Sequence, residues 1–186
     1  MVTSPFVLQM AGWMGTGKST IASAVRSATG AVVLDHDTTK SAIIRAGFAD
    51  GPAGAASYEV LFDLTHDFLD QGHAVIIDSP SAYVSIPARG MALAAAAAVP
   101  YYFVECVCSD AVSSERLELR KSRPSQVKSA EHAAAVRASV LRQPHRPLQG
   151  ALRLDTTGSV DDCVALVLEY LESEGATGGV LSEGRS

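Results

Sequence analysis

Gly12-Trp13-Met14-Gly15-Thr16-Gly17-Lys18-Ser19 fits the spacing G-x-x-x-x-G-K-[ST], a loop built to wrap phosphate. Before it, Pro5-Phe6-Val7-Leu8-Gln9-Met10-Ala11 is an apolar run that reads as a buried strand. After it, Thr20 to Arg26 reads as a helix with Ile21, Ala24, Val25 and Ala28 on one face. Strand, glycine loop and helix in that order are the context the motif requires. The glycines let the backbone turn its N–H groups inward around phosphate oxygens, and the helix start adds partial positive charge. Lys18 is expected to reach the β- and γ-phosphates of a nucleoside triphosphate such as ATP, and the Ser19 hydroxyl to ligand Mg²⁺. Gly12, Gly15, Thr16, Gly17 and Thr20 complete the candidate nucleotide-binding set in this segment.

At 186 residues the chain is long enough to bury its own core, and one domain over residues 1–174 is expected. A net charge of −5 gives no reason to expect nucleic acid or an anionic membrane as partner. The start carries no basic segment, and the apolar run after it is too short to span a bilayer, so a cytoplasmic protein is expected. Cys106, Cys108 and Cys163 are odd in number and lack C-x-x-C spacing, which argues for small buried residues rather than disulfides or zinc. The chain contains no asparagine, which removes the Asn-Lys-x-Asp element with which Ras-type GTPases read guanine. No surface stripe predicts a protein partner.

Along the chain, Thr29-Gly30 closes the first helix, and Ala31 to Leu34 reads as a short, fully buried strand ending at Asp35-His36-Asp37. A helix from Asp37 or Thr38 carries Ile43 and Ile44 to Gly47, and the breakers of residues 47–54 predict a loop. Val60, Leu61, Leu64 and Phe68 recur at helical spacing between Ser57 and Asp70. His73 to Asp78 is the third strand, Pro87 to Val99 a helix and Tyr101 to Val107 the fourth strand. Asp110 to Lys121 reads as a helix carrying Val112, Leu117 and Leu119, and a further helix is expected over about 130–141. Ala151 to Asp155 is the fifth strand. Ser159 and Asp162 cap a last helix with Val160, Cys163, Val164, Val167, Leu168 and Leu171 as its apolar stripe. The Gly/Ser-rich tail over 175–186 predicts disorder. Five buried strands alternating with helices imply an α/β fold with a mainly parallel five-stranded sheet covered on both faces. Ligands of such sheets collect at the carboxyl ends of the strands.

That edge gathers the candidate chemistry. Asp78 closes Val75-Ile76-Ile77 in the Walker B manner and is expected to hold Mg²⁺ with Ser19. Ser79-Pro80 follows it, where ATP-hydrolysing motors place a water-activating Glu. Kinases of small hydroxyl compounds need a carboxylate near the γ-phosphate. Asp37 is the expected base, with Asp35 as the alternative and His36 as a polar neighbour or substrate contact. Nine of the fifteen Lys and Arg lie between 116 and 153, opposed there only by Glu118 and Glu131. Arg116 and Arg120 share a helix face, Arg123 follows, and the segment over about 116–146 suits an Arg-rich lid closing on phosphates. Lys40, Arg45, Tyr58, Glu59, Asp63, His66, Tyr83 and Arg89 are the polar candidates for acceptor recognition, and Trp13 for stacking on a substrate ring.

Gly12 to Thr20, Leu34-Asp35-His36-Asp37-Thr38-Thr39-Lys40, Ile76-Ile77-Asp78 and Arg116-Leu117-x-x-Arg120 together resemble the AAA-domain group of small P-loop kinases. Zeta toxins, chloramphenicol phosphotransferase, and gluconate and shikimate kinases share this fold. The resemblance spans about residues 5–172 and implies a P-loop NTPase three-layer sandwich. It implies transfer of the γ-phosphate of ATP, with Mg²⁺, to a hydroxyl of a small molecule: a sugar, nucleoside or antibiotic-type acceptor. The Asp-x-Asp-Thr-x-Lys string is similar to the zeta-toxin pattern, in which the second Asp is the base, here Asp37. The chain is shorter than zeta toxins and does not match their sugar-binding residues. The loop after the fifth strand borders adenine in this fold, which implicates Thr156. A biosynthetic enzyme, a toxin-like or resistance kinase, and a nucleotide-dependent regulatory module without an acceptor are all compatible with these motifs.

Overall fold

The computed structural model describes residues 4–81, 85–119 and 150–173. The expected lid from residue 120 on, with Arg120 and Arg123, lies outside the described residues. So do the helix expected over 130–141, Tyr83 and the tail.

The chain alternates β1 (Val7–Gly12), α1 (Lys18–Thr29), β2 (Val32–Asp35), α2 (His36–Arg45), α3 (Asp50–Asp70), β3 (Val75–Asp78), α4 (Ser85–Ala96), β4 (Tyr101–Val107), α5 (Asp110–Leu119), β5 (Leu152–Asp155) and α6 (Val160–Glu172). The strands form one sheet in the order β2-β3-β1-β4-β5, and every pairing is parallel. Parallel neighbours need crossover connections, so all five carboxyl ends lie along one edge.

Period-two alternation splits the apolar runs between two cores. Leu8, Met10, Ile76, Tyr102, Val104 and Leu154 face α1 and α6, meeting Ile21, Val25, Cys163, Val167 and Leu171. Val7, Ala11, Val75, Ile77, Tyr101 and Phe103 face the opposite way, meeting Leu61, Phe62 and Leu69 of α3 and Ile86 and Ala94 of α4. This is the three-layer α/β sandwich, with β1 at its centre.

The structure shifts several expected boundaries and faces. Residues 50–54 are the first turns of α3, not a loop. Pro52 fits there because the first N–H groups of a helix have no intrahelical partner. The buried stripe of α3 is Ala53, Ser57, Leu61, Phe62, Thr65 and Leu69, whereas Val60 and Leu64 are exposed. A small or hydroxyl side chain fits where the helix meets the sheet, and the Thr65 hydroxyl is satisfied by the Leu61 carbonyl at 2.8 Å. On α1 the face turns to Ile21, Ala22 and Val25, leaving Ala28 exposed. β2 is an edge strand, so of its residues only Leu34 is buried, against the expectation of full burial. Val160 and Leu119 are the first residue of α6 and the last of α5 and are exposed. α1 stops at Gly30, φ 75°, which donates to Arg26 O at 2.8 Å. Ser159 caps α6 by accepting from Asp162 N at 3.1 Å.

The rotated face of α3 is testable. Leu61→Ala is expected to cost about 2–5 kcal/mol in urea unfolding, as for a fully buried leucine. Leu64→Ala should stay within about 1 kcal/mol.

Candidate active site

Residues 12–19 turn from β1 into α1 at the carboxyl edge of the sheet. Gly12, Gly15 and Gly17 have φ of 133°, 79° and 82°, a region that side chains disfavour. At Gly12 a Cβ would collide with the Cys106 carbonyl oxygen, and at Gly15 one would come within 2.5 Å of the Ser113 carbonyl oxygen. β4 and α5 therefore close on the loop backbone itself. From inside, the Trp13 carbonyl accepts from Thr16 Oγ1 at 2.7 Å and from Lys18 Nζ at 2.9 Å. The Lys18 ammonium is thus folded over the loop that it would share with phosphates.

Thr156, following β5, braces the same loop. Its side chain is buried and donates to the Thr16 carbonyl at 2.8 Å, while its N–H donates to Val107 O at 2.9 Å. Arg116 of α5 donates to Thr156 Oγ1 at 3.1 Å and to Thr156 O at 2.7 Å, which lays its guanidinium beside Gly17. The neighbouring Asp155 turns to Thr157, accepting from its N–H at 2.9 Å and its hydroxyl at 2.8 Å. Those bonds hold its carboxyl below the usual range.

Asp78 ends β3 in register with Met10 of β1 and Asp35 of β2, and only 4% of it is exposed. Alternation after Ile76 turns it toward α1, where the Ser19 hydroxyl hydrogen-bonds it. Burial pushes its carboxyl above the ordinary value; Ser19 and the Lys18 charge oppose the shift, and Asp35 and Asp37 add to it. A desolvated carboxylate beside a hydroxyl is a donor set that fits Mg²⁺. Among the described residues no group of three His, Cys, Asp or Glu could hold a metal alone. Nucleotide phosphates would complete such a shell, as Mg²⁺ sites commonly require.

α2 starts where β2 stops. Asp35 is its N-cap, accepting from Thr38 N at 3.0 Å and Thr38 Oγ1 at 2.8 Å. Asp37 sits in the first turn with 34% of its side chain exposed, close enough to Asp78 for their charges to interact. Lys18, Ser19, Asp78, Asp35 and Asp37 thus converge at one edge. Thr20, in the first turn of α1, is exposed.

Several of the candidates for acceptor recognition form ion pairs in this structure. Lys40 pairs with Asp50 at 3.0 Å and His66 with Asp70 at 3.2 Å. Arg89 grips both carboxylate oxygens of Glu59 and lies 4.2 Å over the Phe62 ring. Cys106 is buried, and that burial pushes its thiol up to about 12, so it stays protonated and inert.

One group of residues went unnoticed in the sequence as part of the site. The Tyr101 hydroxyl donates to Gln9 Oε1 at 2.9 Å, and Gln9 Nε2 donates to Ser81 Oγ at 3.0 Å. Ser81 donates to the Met10 carbonyl at 2.9 Å and lies 3.1 Å from the Ser79 hydroxyl. Ser81 has φ 50°, a strained value for serine that these bonds hold in place. The network ties the segment after Asp78 to the strand that feeds the phosphate loop. Its one sequence signal is Gln9, a lone polar residue within an apolar run.

A family model described as AAA domain matches residues 7–141. No curated protein matches the chain in sequence. Among solved structures, a protein from Chloroflexus aurantiacus described as a putative kinase superposes with a TM-score of 0.71 at 23% identity, covering 91% of this chain and 100% of the other. The APS kinase CysC of Mycobacterium tuberculosis, in complex with AMPPNP and APS, gives 0.66 at 22% identity over 91% and 99%. A gluconokinase from Sinorhizobium meliloti gives 0.60 at 18% identity over 90% and 91%. These likenesses show the fold. No helix among the described residues is long and apolar enough to cross a membrane.

The buried carboxylate has a pH signature. A raised folded-state pKa contributes stability that is complete below the unfolded value of 3.8 and is lost as pH climbs through the folded value. At pH 7 the nucleotide-free Asp78→Asn variant should therefore melt at the same or a higher temperature than the native chain, the gap closing toward pH 4. Its Mg²⁺-dependent affinity for an ATP analogue, read by calorimetric titration, should fall about tenfold or more.

Proposed function

The chain belongs to the AAA-domain family, and on that premise we propose that it is an ATP- and Mg²⁺-dependent kinase that phosphorylates a hydroxyl of a small molecule. The observation that carries this reading is the convergence of Lys18, Ser19 and Asp78 with a second carboxylate, Asp37, at one edge of the sheet. Asp37, in the first turn of α2 and near enough to Asp78 for their charges to interact, supplies a carboxylate besides the one expected to hold Mg²⁺.

In this reading the N–H groups of residues 12–19 and the Lys18 ammonium bind the β- and γ-phosphates, and Ser19 and Asp78 hold Mg²⁺. The metal, when bound, supplies positive charge at the β- and γ-oxygens. Lys18, now bonded to the Trp13 carbonyl, would exchange that neutral acceptor for phosphate, a stronger charge-assisted contact. Arg116, fixed beside Gly17 by Thr156, adds a second positive charge next to the loop. Thr156 itself borders the nucleotide.

Asp37 accepts or orients the acceptor's proton. Asp35 is the weaker candidate because both of its oxygens already serve Thr38 as a helix cap. The kinases named among the structural neighbours support the reaction class.

The test is ADP release from ATP and Mg²⁺ against pooled sugars, nucleosides, UDP-sugars, aminoglycosides and chloramphenicol-type antibiotics. One pool should raise turnover above the background ATPase rate. Asp37→Asn should lower that stimulated rate about 10²–10⁴-fold while leaving affinity for an ATP analogue intact. An Asp37→Asn protein that kept the stimulated rate would move the role to Asp35, and silence in every pool would defeat the kinase reading.

A further inference from the structure

His36 lies between the two carboxylates, and its side chain is 9% exposed. Its ring packs against Tyr58 of α3, with centroids 4.2 Å apart and planes tilted by 34°, and Tyr58 in turn stacks on Phe62 at 6.3 Å. Both ring nitrogens are buried, and neither meets a hydrogen-bond partner among the described residues. Such groups are rare because each forfeits the hydrogen bonds it made to water, so a buried unpartnered imidazole requires an explanation. Packing does not supply one: a phenylalanine could stack on Tyr58 without stranding two nitrogens.

Nδ1 lies 3.6 Å from Asp37 Oδ1, within ion-pair reach but beyond a hydrogen bond. Consecutive side chains on a helix normally diverge. The Tyr58 ring keeps this pair together, because it fixes the imidazole at the first position of α2.

We propose that His36 is a positioning residue for Asp37, with its Nδ1–H holding one carboxylate oxygen so that the other faces the acceptor hydroxyl. The proposal rests on reading Asp37 as the base. Closing the gap takes a movement of under about 1 Å, after which the N–H gains a charge-assisted bond and the carboxylate loses rotational freedom. The ring does not touch the acceptor; it acts through Asp37. Misplacing a reacting group by about 1 Å can cost about 10²-fold in rate, which sets the scale of the effect.

The full chain with ¹⁵N-labelled histidine tests the pairing without any acceptor. His36 is assigned by the signals missing from His36→Phe. At neutral pH it should appear as the Nδ1–H tautomer, and its Nδ1 resonance should move in Asp37→Ala. An Nε2–H tautomer that ignores Asp37→Ala would overturn the pairing.

Kinetics with the stimulating pool test the consequence. His36→Phe should keep the melting temperature and the affinity for an ATP analogue, yet lose about 10–100-fold in kcat. His36→Asn, which restores an N–H near the Nδ1 position, should recover to within a few-fold. A packing role predicts the reverse order, Phe active and Asn impaired, and that result would overturn the proposal. If no acceptor stimulates the native chain, the kinase reading fails, while the imidazole spectrum still decides the pairing.

Discussion

A carboxylate at the inner end of a buried strand is costly unless something stabilises its charge, and Asp78 sets that constraint on everything around it. Its neighbours in register are Asp35 and Met10, so the sheet offers a second negative charge rather than relief. Relief comes from across the phosphate loop, through the Ser19 hydroxyl and the Lys18 charge. The two halves of the site therefore depend on each other. The loop brings the hydroxyl and the ammonium that oppose the cost of burying Asp78, and Asp78 in turn holds Ser19 at the start of α1.

The loop reaches that position because its glycines let other backbone come very close. Gly12 meets the carbonyl end of β4 and Gly15 meets α5, contacts that a β-carbon would prevent. Thr156 and Arg116 close the circle from β5 and α5. The polar network from Tyr101 through Gln9 to Ser81 fastens the segment after Asp78 to the central strand. Buried polar networks of this kind hold one geometry because any slippage leaves several groups unsatisfied at once.

Much of this was legible in the chain because it is local. The G-x-x-x-x-G-K-[ST] spacing, the apolar runs of four to seven residues and the carboxylates closing two of them are contiguous in sequence, and strands and helices follow them closely. The Ser159 cap and the Gly30 stop were equally local. What misled was also local. Gly51, Pro52 and Gly54 read as breakers, yet Pro52 occupies a first turn, where its missing N–H costs nothing. Val60 and Leu64 looked like a core face because they are apolar, while Ser57 and Thr65 took the buried positions. Composition cannot show which side of an amphipathic helix meets a sheet when small hydroxyl residues satisfy themselves against their own backbone, as Thr65 does.

By itself the sequence determined the order of elements, the parallel α/β architecture, the glycine-rich loop with its lysine and serine, and the carboxylate that closes the third strand. These follow from short-range periodicity and from a motif whose members are adjacent. Tertiary structure alone decided that Asp35 caps α2 while Asp37 lies partly exposed in its first turn, that Arg116 is gripped by Thr156, that Gln9 anchors Ser81, and that the His36 ring is clamped by Tyr58. Those assignments rest on pairs separated by 40, 72 and 22 positions or on a few tenths of an ångström of approach. Such distances are set by how layers pack, and no spacing rule along one chain encodes them.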